Sequence, residues 1–271
     1  RYDREDLAFA EELARRVALF VDHAFLLRDQ SRLIAELEQI NRDLDRFAYV
    51  ASHDLKAPLR GISNLTTMLE QDLAGRLDEP SQTHLQLLRG RCRRLEAMID
   101  GVLRYSRAGR VADSPVQVDL AVLAREVFEL LSAPTGTTLE IQPGMPVLET
   151  VRQPLEHVFL NLIGNAIKHG QREDLSIVVG GAQLPGAWEL FVRDNGPGIA
   201  PEDHEQIWGM FRTLAPRDTV EGTGLGLAIV RRIVDSVGGT IRVESDAGRG
   251  ATFLFTWPAT TRSTGRWSKL T

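Results

Sequence analysis

Apolar residues in the first hundred positions recur in alternating steps of four and three, and this repeat constrains the fold more than any other feature. Leu33, Leu37, Ile40, Leu44, Phe47 and Ala51 follow one another at intervals of 4, 3, 4, 3 and 4. Leu13, Val17, Phe20, Ala24 and Leu27 show the same rhythm upstream, and Leu55, Ile62 and Leu69 extend the stripe at sevenfold spacing. A side-chain period near 3.5 is the seam of helices packed on helices. No strand is predicted before about residue 107. Gly75–Pro80 interrupts the pattern, with Asp78 and Ser81 as candidate N-caps. Leu85, Leu88, Cys92, Leu95, Ile99 and Val102 then mark a second helix. Two long helices with a short connection make a hairpin, and its stripe is too long to bury alone. A twofold homodimer that builds a four-helix bundle satisfies it. Pro58 lies inside the first helix, where it removes one backbone hydrogen bond and predicts a kink.

From about Pro115 the texture changes. Strands are predicted at Thr138–Gln142, Ser176–Gly180, Trp188–Arg193, Thr240–Ser245 and Ala251–Thr256, with helices at Asp119–Leu131, Arg152–His169 and Gly224–Val237. Val179 to Phe191, turning at Leu184-Pro185-Gly186, reads as a β-hairpin. The predicted fold class is therefore α plus α/β: a helical hairpin followed by an α/β sandwich with one helical layer on one sheet. Aromatics make up only 6% of the 271 residues, so the cores must be mainly aliphatic. The formal charge of −5 argues against nucleic acid as a bulk partner. No apolar run reaches the roughly 18–20 residues that a membrane span needs. The single cysteine, Cys92, excludes a disulfide framework or a cysteine-based zinc site and suits a reducing, cytoplasmic setting. The chain opens on Arg1 inside an apparent helix, which reads as a fragment of a longer protein, and the Ser/Thr-rich stretch 259–271 reads as a disordered tail.

Three clusters are candidates for chemistry, although taken alone the first also fits a solvated polar face and the second a mere tight turn. On the Arg152–His169 helix, Leu155, Val158, Phe159, Leu162, Ile163 and Ala166 supply the buried side, while Asn161, Asn165 and Lys168 share the other. Asparagine is a mediocre helix former, and its amide oxygen is a hard ligand suited to Mg²⁺. Asp194-Asn195-Gly196-Pro197-Gly198 follows directly on a strand, where a carboxylate can accept from an exocyclic amine. Gly222-Thr223-Gly224-Leu225-Gly226-Leu227 opens a helix, whose first amides form an anion site. It matches neither a P-loop nor the dinucleotide fingerprint. Arg212–Glu221, polar and without a strand pattern, reads as a loop able to close over a ligand.

The order Asn161-x-x-x-Asn165, Asp194-x-Gly196-x-Gly198, Trp208-x-x-Phe211, Gly222-x-Gly224-x-Gly226 resembles the N, G1, F and G2 boxes of sensor histidine kinases, within the ATPase superfamily that includes gyrase and the Hsp90 chaperones. Phe47 to Arg60, containing Ser52-His53-Asp54-Leu55-Lys56-Ala57-Pro58, is similar to their H box, in wording most like the phytochrome-related kinases. The resemblance implies four parts: a signalling helix over 1–45, similar to the last helix of a GAF-type domain; a dimerisation and phosphotransfer domain over 46–110; an ATP-binding domain over 111–258; and the tail.

It also implies roles. Asn165 ligates Mg²⁺, with Asn161 beside it, and Lys168 and His169 lie near the phosphates. Asp194 binds the adenine amino group in a pocket shaped by Gly196 and Gly198. Gly222, Thr223, Gly224, Leu225 and Gly226 receive the triphosphate of ATP, and Phe211 packs beneath the lid. Thr252, in Gly250-Ala251-Thr252-Phe253, matches a late motif near adenine. His53 is the phosphoacceptor and Asp54 the candidate base, although adjacent helical residues do not face each other. Lys56 and Arg60 are cations within reach of a transferred phosphoryl group. The expected partner is a response regulator receiver domain. Ala57 stands where bifunctional members carry Thr or Asn, so weak phosphatase activity is expected. Of the other histidines, His23 and His84 read as surface or bundle-edge residues, His157 as a neighbour of the core and His204 as solvated. The alternatives are a catalytically silent dimeric scaffold that binds ATP, or an ATP-driven clamp or serine kinase of the same superfamily.

Overall fold

The structure, a computed structural model, describes residues 4–108, 114–213 and 223–259. It divides into two compact units, residues 1–51 and 52–271. Helix α1 is Arg4–Asp72 and α2 is Glu79–Arg107. In the first unit, Leu13, Val17, Phe20, Leu27, Leu33 and Ile40 of α1 are all exposed. Pro58 sits within α1, so the Asp54 carbonyl lacks the amide that would normally close its turn. Asp78 caps α2 by accepting from the Ser81 amide at 3.0 Å, and Pro80 occupies the first turn, where its missing N–H costs nothing.

In the second unit the heptad pattern resolves into two faces. Ser52 and Thr66 on α1 and Cys92 on α2 are buried within the hairpin, with Leu59, Leu85 and Ile99 partly so. Leu55, Ile62 and Leu69 on α1, and Leu88, Leu95 and Val102 on α2, remain exposed at sevenfold spacing. The ion pairs Lys56–Asp100 and Arg89–Glu70 cross the hairpin.

The remainder is a two-layer sandwich. Strands β2 (Thr138–Ile141), β4 (Ser176–Leu184), β5 (Ala187–Asp194), β6 (Ile241–Ser245) and β7 (Ala251–Pro258) form one sheet in the order β2-β4-β5-β7-β6. The β2–β4 pair is parallel and the other pairs are antiparallel. Strands β4 and β5 are joined at Pro185-Gly186, where Gly186 takes φ 76° as the tight turn requires. Helices α3 (Leu120–Leu130), α4 (Arg152–His169) and α5 (Gly226–Ser236) cover one face. Alternate strand residues point into that layer: Ile177 and Val179, Leu190 and Val192, Phe253, Phe255 and Trp257. The core is largely aliphatic, with one aromatic line through it: Phe159 meets Phe255 edge-on at 6.2 Å and Phe255 meets Trp257 at 6.4 Å. The buried Trp257 indole N–H donates to Thr150 Oγ1 at 3.0 Å.

Two short strands go beyond the sequence reading. β1 (Val116–Asp119) and β3 (Val147–Thr150) pair antiparallel as a separate two-stranded sheet. Four residues each is too short for alternation to announce a strand. Asp119, predicted as the first helical residue, is instead the N-cap of α3, accepting from the Ala121 and Val122 amides at 2.9 and 3.0 Å.

Candidate active site

Helix α4 forms the common wall of the site. Its apolar side is buried, and Asn161 and Asn165 lie on the side toward the start of α5. Asn161 Nδ2 donates to the His157 carbonyl at 2.7 Å, and since a carbonyl only accepts, the amide is held one way round. Its oxygen therefore faces α5. A β-carbon built on Gly226 would sit 2.8 Å from Asn161 Oδ1 and 4.0 Å from Asn165 Oδ1. Two hard oxygens converge on one helix N-terminus, a donor set that fits Mg²⁺ shared with phosphate.

That N-terminus has no side-chain cap. The first helical bond runs from the Ile229 amide to Leu225, so the amides of Gly226, Leu227 and Ala228 have no intrahelical acceptor. Gly224 precedes them at φ 67°, where a β-carbon would fall 2.7 Å from the backbone of Phe211 and Arg212. Loop and dipole together suit an anion. Gly226→Ala gains helix propensity but drives a methyl into the Asn161 oxygen. The expected result is an unchanged or raised apo Tm with roughly 10- to 100-fold weaker Mg-ATP binding by calorimetry. A Tm fall without an affinity change would contradict it.

Asp194 ends β5 at the other side of the wall. Its Oδ1 accepts the Gly196 amide at 2.9 Å, and the backbone of Ala251, its partner on β7, also favours the charged form. Burial nonetheless raises its pKa above the ordinary aspartate value, these backbone contacts offsetting only part of the lost hydration. Gly196 backs onto Gly170, just beyond α4, so the Asp194 end and the glycine-loop end of the candidate site share one helix. Gly198 (φ 70°) and Gly250 (φ 79°) carry the turns, each packed on backbone.

Four residues not singled out as site residues complete the frame. Asn195 ties the strand end, accepting from the Ser176 amide at 2.8 Å and donating to the Asp174 carbonyl at 3.0 Å. Ser245 Oγ accepts from the Ile199 amide at 2.8 Å and donates to the Gly250 carbonyl at 2.7 Å. Gly170 and Gly250 supply room. Asn195 was visible beside Asp194; Ser245 and Gly170 carry no signal without the fold.

Several expected positions land differently. Thr252 pairs in register with Arg193, on the sheet face away from the helices, and accepts from Arg193 Nε at 3.3 Å. The residue paired with Asp194 is Ala251, because side chains alternate along β7. Phe211 is exposed at 46% and holds a left-handed backbone (φ 62°), its amide bonded to the Gly224 carbonyl at 2.9 Å. Trp208 is the aromatic that packs inward, edge-on to Phe253 at 6.1 Å. Gly222, and residues 214–221 of the expected lid, lie outside the described residues. Thr223 is half-buried ahead of Gly224. Lys168 and His169 close α4 at its negative end. The His169 pKa is pulled below the usual histidine value, first by desolvation and then by Lys168. His204, expected to be solvated, is part-buried with Nε2 3.3 Å from the Ile199 carbonyl.

On the hairpin, His53 Nδ1 lies 3.1 Å from Asp54 Oδ1, so the neighbouring carboxylate does reach around to the ring. His53 is largely exposed, its side chain 67% accessible. The end of α2 touches the glycine motif: a β-carbon on Gly101 would fall 2.4 Å from Leu225 Cδ1. Arg232 of α5 lies 4.7 Å above the Tyr105 ring, with Nε donating to the Ala108 carbonyl at 3.2 Å.

An exposed His–Asp pair thus stands on a helical hairpin that leads into a sandwich carrying a glycine-lined helix N-terminus. Residues 150–261 match the family of histidine kinase-, DNA gyrase B- and HSP90-like ATPases, and residues 43–110 match the His Kinase A (phospho-acceptor) domain. The chain belongs to the histidine kinases. It is 40% identical over 231 residues to cyanobacterial phytochrome B of a Nostoc species, covering 83% of this chain and 31% of that protein. It is 32% identical over 248 residues to the adaptive-response sensory kinase SasA of a Synechococcus species, covering 88% of this chain and 64% of that one. The crystal structure of full-length ShkA in complex with AMPPNP superposes with a TM-score of 0.58 at 28% identity, covering 79% of this chain and 45% of that chain. The chain thus spans about a third of the length of the cyanobacterial phytochromes it matches. Among the described residues no helix is long and apolar enough to cross a membrane.

Proposed function

We propose that this chain is the kinase portion of a sensor histidine kinase, which phosphorylates His53 from ATP and passes the phosphoryl group to an aspartate of a response regulator. The observation that carries the reading is the His53–Asp54 contact. With Nδ1–H donating to the carboxylate, the proton stays on Nδ1 and the Nε2 lone pair is free to attack. The Nε2–P bond forms as the bond from the γ-phosphorus to the β-phosphate bridging oxygen breaks, and ADP leaves with that electron pair. The ring becomes a phosphoimidazolium, whose positive charge and Nδ1–H face Asp54, so that no proton need leave in this step. Adenine is read by Asp194, which accepts from the exocyclic amine. The amides at the start of α5 receive the phosphates. Asn165, with Asn161, would hold Mg²⁺, which when bound neutralises phosphate charge.

The exposed stripe of Leu55, Ile62, Leu69, Leu88, Leu95 and Val102 supports a homodimer through the hairpin, each copy covering the other's seam. The dependence on ATP, with Cys92 as a free buried thiol, fits the cytoplasm.

Incubation with labelled ATP and magnesium tests the reading. The label should be lost in acid and survive base, His53→Ala and Asn165→Ala should each remain unlabelled, and each should keep its fold. Mixed heterodimers report whether transfer runs within or between chains. Folded, dimeric wild-type protein that stays unlabelled would sink the proposal.

A further inference from the structure

Lys56 lies three residues beyond His53, so the two side chains share a face of α1. Its ammonium is drawn across the hairpin to the Asp100 carboxylate, 44 residues away on α2, and Lys56 is the more buried partner at 28% accessible against 48%. Exposed pairs of this kind add little to stability. Nor does the hairpin lack a staple, because Arg89 and Glu70 already join the same helices at 2.6 Å well away from His53. A phosphoryl group on Nε2 brings nearly two negative charges and three acceptor oxygens within reach of the lysine, a stronger partner than one carboxylate. Asp100 also directly precedes Gly101, the residue on which Leu225 of the phosphate loop rests.

From this juxtaposition we infer that Lys56 is a catalytic cation for the phosphoryl group arriving at His53, and that Asp100 is its positioning residue, holding the ammonium beside the acceptor until the phosphoryl group displaces it. The inference rests on the kinase reading above. No bond is made or broken by the lysine: the ion pair with Asp100 is exchanged for one with the phosphoryl oxygens, and charge on the transferring group is neutralised in place.

The test compares initial autophosphorylation rates over a range of ATP concentrations, with Tm measured in parallel, for the full chain and four variants. Lys56→Gln should lower kcat roughly tenfold with KM for ATP unchanged, and Lys56→Arg should recover most of it. Asp100→Asn, which stops aiming the lysine while keeping the shape of the side chain, should lower kcat about threefold with KM and Tm unchanged, a smaller loss than in Lys56→Gln. A wild-type rate there would overturn the positioning role. Arg89→Gln, which breaks only the staple, should leave the rate unchanged. Equal losses of rate and Tm in Lys56→Gln and Asp100→Asn would mean the pair is only a staple and would overturn the inference, as would a wild-type rate in Lys56→Gln. An unlabelled wild type fails differently: it removes the kinase reading itself, and this inference with it.

Discussion

Asp194→Asn is expected to weaken ATP binding on the order of a hundredfold while leaving the nucleotide-free protein as stable as before, or more stable, at neutral pH. The carboxylate accepts the Gly196 amide on the protein side, and in the function proposed above its remaining acceptors would take the exocyclic amine of adenine. In the variant, the amide oxygen turns toward that backbone donor, leaving an NH₂ group to face another NH₂ group. Stability moves the other way. Burial raises the Asp194 pKa in the folded state, so the native protein holds that proton more tightly than the unfolded chain does. Its contribution is fully present below the unfolded value near 3.8 and is lost as pH rises through the raised folded value. At neutral pH the wild type therefore carries the cost of a desolvated charge, which asparagine removes. The stability difference between variant and wild type should grow with increasing pH and shrink as pH falls toward 4. Denaturant unfolding across pH, with calorimetric ATP binding, checks both halves. A variant that loses stability at neutral pH and keeps its affinity would contradict the assignment.

The second large effect is Gly250→Ala. At φ 79° a non-glycine residue is strained, and its β-carbon would lie 2.0 Å from the Asp194 carbonyl oxygen and 3.0 Å from Asn195 Cα. Neither contact is a flexible side chain, so the turn itself must move. That shift disturbs the Ser245 bond to the Gly250 carbonyl and the pairing of the neighbouring Ala251 with Asp194. Strain and clash together predict a loss of about 3 kcal/mol or more, with ATP affinity falling in parallel. Gly248→Ala is the matched control: φ is 82°, but nothing lies within 4 Å, so only the left-handed penalty of about 1 kcal/mol applies. Denaturant midpoints separate the two. Equal losses would show that conformation alone, and not the close approach to Asp194, sets the requirement for glycine at 250.

Much of the architecture was legible in the sequence because its period is strong. The Arg152–His169 helix has the predicted bounds, since six apolar residues mark one side over its whole length. The β4–β5 hairpin was announced by Pro185-Gly186 between apolar runs. Boundaries failed where a local conformation overrides the period. Helix α5 begins at Gly226 and not Gly224, because Gly224 at φ 67° cannot be helical. The Thr252 expectation failed for a different reason. A motif gives the spacing along β7, but the sheet face follows from pairing with β5, in which Asp194 meets Ala251 and Arg193 meets Thr252.

The sequence by itself determined the two halves of the protein, the helical hairpin with its unburied heptad seam, and the candidate site residues, because side-chain period and residue type are local properties. Only the tertiary structure decided what those residues face. It turned the Asn161 oxygen toward Gly226, brought Asp54 onto the His53 ring, and set Ser245 and Gly250 behind Asp194. It also drew Lys56 across to Asp100. Apart from the His53–Asp54 contact, these are meetings of segments remote in the chain. Sheet register and helix packing, which bury apolar surface over the whole domain, determine them.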